Sequence, residues 1–146
     1  MPLSLKVILR DLKIIVMKKT NDQTKCLIRD CFFVRQGERR ERCFYSEILY
    51  VEASGCYCYI YRRDKPRLLI AHPLLMLEPF LPEDRFKRVH RSYIVNLYEV
   101  DGFIGKALCI GKNVFPVSPS YRTEIFECFN FWDLGRVKKG REDKEM

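Results

Sequence analysis

Between Cys31 and Ala71 the apolar residues come in short runs, and each run is cut by a turn signal before a helix-length apolar face can build up. Cys31-Phe32-Phe33-Val34 is followed by Gly37-Glu38, and Arg39 to Tyr45 returns as a second strand. Glu47 to Ala53 is nearly continuous in apolar content, which fits a buried strand. Ser54-Gly55-Cys56 then turns the chain into Tyr57-Cys58-Tyr59-Ile60-Tyr61. There the three tyrosines fall on one face and Cys58 and Ile60 on the other, the period of a half-buried strand. Arg63-Asp64-Lys65-Pro66 turns again and Arg67 to Ala71 returns. Turn signals about every eight to twelve residues exclude a helix bundle and point to a mostly β fold of small antiparallel sheets.

Residues 73–81 interrupt the pattern. Leu74, Leu75, Leu77 and Leu81 line one side of a short helix, with Pro73 in its first turn and Pro79 and Pro82 limiting its length. The run Phe86-Lys87-Arg88-Val89-His90-Arg91-Ser92-Tyr93-Ile94-Val95-Asn96 fits no helical period. Its Phe86, Val89, Tyr93 and Val95 suit a core, while Arg88, His90 and Arg91 reach outward. Residues 97–104 and 106–110 read as paired strands, Gly111-Lys112-Asn113 as a hairpin turn, and 114–117 as the last strand. Ser118 and Ser120 are placed to cap a helix over residues 121–131 that buries Ile125, Cys128 and Phe129, with Glu124 as a later member of the cap.

The 146 residues make one domain with appendages. The expected division is an N-terminal leader over 1–30, a folded domain over 31–131 and a charged tail over 132–146. Within the leader, Leu5, Ile8, Leu9, Leu12, Ile15 and Val16 fall at helical spacing between Lys6, Arg10 and Lys13, so it includes a short amphipathic helix. The same residues also suit a helix packed on the domain's own core, and Met17 offers a second translation start. Charges at Lys6, Arg10, Asp11 and Lys13 break the longest apolar stretch, which is therefore no membrane span.

Seven cysteines, no C-x-x-C spacing and two histidines give no ligand set for a metal; reduced thiols in a cytoplasmic protein are the simple reading. Neither a G-x-S-x-G, an H-E-x-x-H nor a phosphate-binding glycine loop is present, so no enzyme, cofactor or small-molecule substrate is expected. The net charge of +8 makes a polyanion the natural partner. Between Arg62 and Arg91 lie eight cations, Arg62, Arg63, Lys65, Arg67, Arg85, Lys87, Arg88 and Arg91, against the carboxylates Asp64, Glu78, Glu83 and Asp84. Such cations supply affinity for phosphates, whereas sequence reading needs side chains at base edges.

An ordered series of segments resembles the LytTR (LytR/AgrA-type) family of bacterial DNA-binding domains over about residues 32–126. Glu47-Ile48-Leu49-Tyr50-Val51-Glu52-Ala53 is similar to its early strand, leading through a Gly-containing loop to Tyr57. Residues 74–81 resemble its short helix, and His90-Arg91-Ser92-Tyr93-Ile94-Val95-Asn96 its most specific signature. Val117-Ser118-Pro119-Ser120-Tyr121-Arg122 resembles its closing motif. The resemblance implies an elongated arrangement of small antiparallel sheets with one short helix and a C-terminal helix. It also implies a sequence-specific transcription regulator that reads double-stranded promoter DNA, in direct repeats, through loops in the major groove. A homodimer on DNA and a separate signalling partner are compatible with it.

The DNA-facing residues so implied are Tyr57, in a loop over 55–58; Arg88, His90 and Arg91 in the signature; and Ser118, Ser120 and Arg122 in the closing motif. The residues themselves leave two alternatives open: Tyr57 also suits a half-buried core position, and His90 a hydrogen-bonded structural role. Asn96 reads as a turn residue. Family members commonly carry Arg directly after the closing Ser; this chain has Pro119, which makes no base contact by hydrogen bond, leaving Ser118, Ser120 and Arg122 for phosphate. About thirty residues precede the match, too few for the receiver domain that many members carry, so a stand-alone regulator is expected. The alternative is a protein- or anionic-membrane-interaction module that keeps the fold but has lost specific DNA reading.

Overall fold

The computed structural model describes residues 26–132. The amphipathic helix expected near the N-terminus and the tail beyond Trp132 lie outside the described residues. The chain divides after Ile48 into two compact units.

In the first unit, β1 (Cys31–Gln36) and β2 (Arg39–Phe44) form an antiparallel hairpin in which Gln36 faces Arg39 across the two-residue turn Gly37-Glu38. Cys31, Val34 and Cys43 are buried. Phe32 stacks on Tyr45 with 5.3 Å between ring centroids, and Arg42 lies over Phe33 and Phe44 at 5.2 and 5.5 Å. A 3-10 turn over Tyr45–Glu47 follows, its start tied to the chain before β1 by Tyr45 N–H donating to the Asp30 carbonyl at 3.0 Å.

The second unit is built on a five-stranded sheet. Its strands are β3 (Ile48–Ser54), β4 (Tyr57–Arg62), β5 (Lys65–Ile70), β6 (Phe86–His90) and β7 (Tyr93–Asn96), in the spatial order β5-β4-β3-β7-β6. The apolar β3 occupies the centre, with Ile48 and Val51 buried and the residues between them half-buried, and the tyrosines of β4 alternate with buried Cys58 and Ile60 as the period of two requires. Between β5 and β6 runs a single helical turn, α1 (Leu74–Leu77), continued as a 3-10 turn over Glu78–Phe80. Leu74, Leu77 and Leu81 are buried, while Leu75 is exposed; Pro73 sits just before the helix, not in its first turn.

A second, three-stranded sheet has the order β10-β9-β8, where β8 is Gly102–Ile104, β9 Ala107–Ile110 and β10 Asn113–Pro116. The helix α2 (Pro119–Phe126) closes the unit. Val89 and Val95 of the large sheet, Leu108, Ile110 and Phe115 of the small one, Val117, and Ile125 of α2 form one core. At about 1.5–3 kcal/mol for each large aliphatic or aromatic side chain buried, that cluster is the main term holding the two sheets and α2 together.

Several elements differ from their sequence-based expectation. The strand expected from residue 97 begins only at Gly102, because Leu97–Glu99 form a 3-10 turn. Buried Asn96 imposes this turn, its Oδ1 accepting the Tyr98 N–H at 3.0 Å. The last strand begins at Asn113 and ends at Pro116. The C-terminal helix starts at Pro119, whose fixed φ and missing N–H suit the first helical position, and it ends at Phe126. Beyond it the chain folds back so that Phe129 and Phe131 each lie 5.1 Å from Phe103. Ile125 is buried as expected, Phe129 is half-buried and Cys128 is exposed. Among the described residues, no helix is long and apolar enough to cross a membrane.

Candidate nucleic-acid interface

The Phe86-to-Asn96 run folds as the β6–β7 hairpin. Arg88 faces Ile94 and His90 faces Tyr93, so Val89 is an extra residue, a bulge that bends β6 and leaves Arg91-Ser92 as a two-residue turn. Val89 points into the core. Its carbonyl accepts the Ser118 N–H at 2.9 Å, which joins the closing motif to the signature strand.

The backbone of the Arg91-Ser92 turn is held at four points. Arg88 Nε donates to the His90 carbonyl at 3.0 Å, and Arg88 Nη2 to the Arg91 carbonyl at 2.7 Å. Ser92 N–H donates to His90 Nδ1 at 3.1 Å, and the Ser92 carbonyl accepts from Ala53 N–H at 2.8 Å. The His90 ring thus serves the turn as an acceptor. That ring also packs 5.6 Å from Tyr93. The third nitrogen of Arg88, Nη1, meets the Glu78 carboxylate at 2.8 Å. The side chains of Arg88 and His90 are thus turned back on the hairpin, while Arg91 is exposed and its guanidinium has no partner among the described residues.

The other cations of the basic stretch are mostly engaged by the protein itself. Arg62 is buried, donating through Nε and Nη2 to the Pro66 carbonyl at 3.1 and 2.8 Å. Arg63 pairs with Glu99. Arg67 lies 4.0 Å from the Tyr59 ring and donates to the Tyr61 hydroxyl at 3.0 Å, and Arg85 lies 4.3 Å over Tyr98. Lys87 Nζ donates to Glu124 Oε2 at 3.0 Å; that bond raises the lysine's pKa against the lowering effect of burial. The bare count of eight cations therefore overstates the charge available to a ligand. Glu78, Glu99 and Glu124 were the missed partners. The only sequence signal for them is that acidic residues near this basic run are few.

Tyr57 is the first residue of β4 and half exposed. The loop before it is only Gly55-Cys56, with Gly55 at φ +62°, where a side chain would be strained. Cys58, in the loop that the resemblance implied, is in the strand that the alternation predicted, with no exposed surface, and burial pushes its thiol up to about 11. Cys56 is exposed in the turn.

In the closing motif, Ser118 is the residue before α2 and half-buried; its hydroxyl caps no helical N–H. Glu124 takes no part in a cap, being paired with Lys87. Ser120 is exposed, and Arg122 turns back to donate from Nε to the Val117 carbonyl at 2.9 Å. The three places singled out by sequence lie together. Ala53 N–H to Ser92 puts the Gly55-Cys56 turn beside the Arg91-Ser92 turn, and Ser118 N–H to Val89 brings the start of α2 to the same hairpin.

Residues 39–130 match the family of LytTr DNA-binding domains. The chain belongs to the LytTR family. Among solved structures, the LytTr DNA-binding domain of a protein described as a methyl-accepting/DNA response regulator from Bacillus cereus is similar in fold. The TM-score is 0.58 at 23% identity, over 70% of this chain and 98% of that one. No curated protein matches. Membership makes this LytTR chain part of a DNA-binding family, and its mostly β, antiparallel architecture agrees with the fold expected from sequence.

Proposed function

We propose that this LytTR chain is a sequence-specific transcription regulator that reads promoter DNA through the adjoining Arg91-Ser92 and Gly55-Cys56 turns, Arg91 donating to base edges. The observation that carries this reading is an exposed arginine, unpaired among the described residues, on a turn whose backbone is held at four points. A guanidinium presents its N–H groups in the planar fork that matches guanine O6 and N7. A turn fixed before binding spares the ordering cost on association. Tyr57, half exposed beside the same turn, is the second proposed contact, and Ser118, Ser120 and Arg122, at the start of α2 joined to the same hairpin, are the proposed phosphate contacts on the flank.

The test is selection of duplexes from a random pool by the purified chain, followed by titration of the enriched site at several salt concentrations. Specific binding should weaken steeply with salt. Arg91→Ala should cost about 1–3 kcal/mol and relax the preference at one base position. An equal loss on all sequences would assign Arg91 to a phosphate, and a pool that never enriches would remove the proposal.

A further inference from the structure

We infer that Glu78 is a positioning residue for DNA recognition: through Arg88 it presets the turn that carries Arg91. This rests on the reading of Arg91 as a DNA contact.

The guanidinium of Arg88 is planar, and its N–H groups point in fixed directions. Three of its nitrogens are used at once, Nη1 by Glu78 Oε1 at 2.8 Å, Nε by the His90 carbonyl at 3.0 Å and Nη2 by the Arg91 carbonyl at 2.7 Å. Anchoring one edge of such a fork sets the direction of the others. Glu78 has a firm base for this task. It opens the 3-10 turn Glu78–Phe80, its carbonyl accepts the Leu81 N–H at 3.1 Å, and its neighbours Leu77 and Leu81 are buried. The carboxylate is itself partly open to solvent, with 41% of its side chain exposed, so screening leaves the ion pair little weight in overall stability. What the pair supplies is direction.

Charge alone argues the other way, which makes the inference testable by sign. A carboxylate beside a surface that meets DNA repels phosphates, so removing it should strengthen binding on electrostatic grounds. A clamp predicts weakening. The experiment uses the full chain and two probes, the duplex enriched by selection and an unrelated duplex of the same length. Glu78→Gln is expected to weaken binding to the enriched duplex about 3- to 10-fold, the range for leaving one side chain to be ordered on association. Binding to the unrelated duplex should stay within about twofold or tighten. In an Arg91→Ala background the same substitution should leave affinity for the enriched duplex within about twofold, because the residue it positions is gone. Arg88→Lys keeps the charge but not the fork, and should reproduce the loss; it also serves if the Glu78 variant fails to fold.

Unchanged or tighter binding of Glu78→Gln to the enriched duplex overturns the clamp while leaving the Arg91 reading intact. So does an undiminished loss in the Arg91→Ala background, which would mark a general structural effect. If the unaltered chain enriches no sequence, the Arg91 reading falls and the clamp falls with it.

Discussion

Truncating Ile125 to alanine tests whether α2 belongs to the folding unit or merely leans on it. Ile125 has no exposed surface and shares one cluster with Val89 and Val95 of the large sheet, Leu108, Ile110 and Phe115 of the small one, and Val117. Ile→Ala removes three methylene equivalents, or about 2.4 kcal/mol at ~0.8 kcal/mol each. The void adds to this. Leu108, Ile110 and Phe115 are fixed by strand pairing on both sides of β9, so the site has little freedom to collapse. A residual cavity on the order of 60 Å³ at ~24 cal/mol per Å³ contributes about 1.4 kcal/mol more. The expected loss is therefore about 4 kcal/mol, a large share of the ~5–15 kcal/mol typical of a domain. Urea unfolding followed by circular dichroism measures it, with Ile125→Val as a graded control at about 0.5–1.5 kcal/mol. If alanine costs no more than valine, the side chain is not the keystone its burial implies, and the core assignment that joins α2 to both sheets is wrong.

Two further outcomes follow from single positions. Cys58 has its thiol pushed from 9.0 up to about 11 by burial, so the folded state holds the proton more tightly than the unfolded chain. Its contribution to stability is whole below pH 9 and is lost as pH rises to about 11; Cys58→Ala should start less stable but fall less over that window, and parallel curves from urea midpoints would contradict this. Pro119 is exposed at the first position of α2, where the resemblance drawn from sequence implied an arginine. Pro119→Arg should tighten DNA binding and steepen the slope of log affinity against log salt by about 0.9, and an unchanged slope would show that this end of α2 does not face DNA.

What the sequence showed plainly was whatever depends on near neighbours. The alternation of Tyr57, Tyr59 and Tyr61, the Gly37-Glu38 turn and the strand at β3 each follow from a local period or a local conformational need, although only Ile48 and Val51 of β3 are buried. The 3-10 turn at Leu97–Glu99 was also local in origin. An Asn accepting the N–H two residues on is a known turn habit, but the apolar run around Leu97 and Val100 read as strand. The end of α2 was out of reach for a different reason. Phe129 and Phe131 leave the helical path to pack on Phe103, more than twenty residues earlier in the chain. The candidate interface divides in the same way. The ordered motifs brought out Arg91, whereas the inward turn of Arg88 depends on a bulge and on Glu78, neither visible as a pattern. Arg62 shows the general hazard: a cation in a basic run can be buried on a carbonyl four residues away.

The bulge at Val89 makes the number of residues in the β6–β7 hairpin matter more than their identity. Because strand side chains alternate, losing or gaining one residue there transposes every later position between the two faces of the sheet. Removing the extra residue would make Arg88–Ile94 and His90–Tyr93 successive pairs, keeping the two-residue turn but taking a buried side chain out of the core and withdrawing the carbonyl that Ser118 uses. Point replacements at Lys87, Arg91 or Ser92 alter what the hairpin offers while leaving its frame in place. An insertion or deletion discards the frame itself, so a graft of this element onto another scaffold has to carry the whole stretch from Phe86 to Asn96 at its native length.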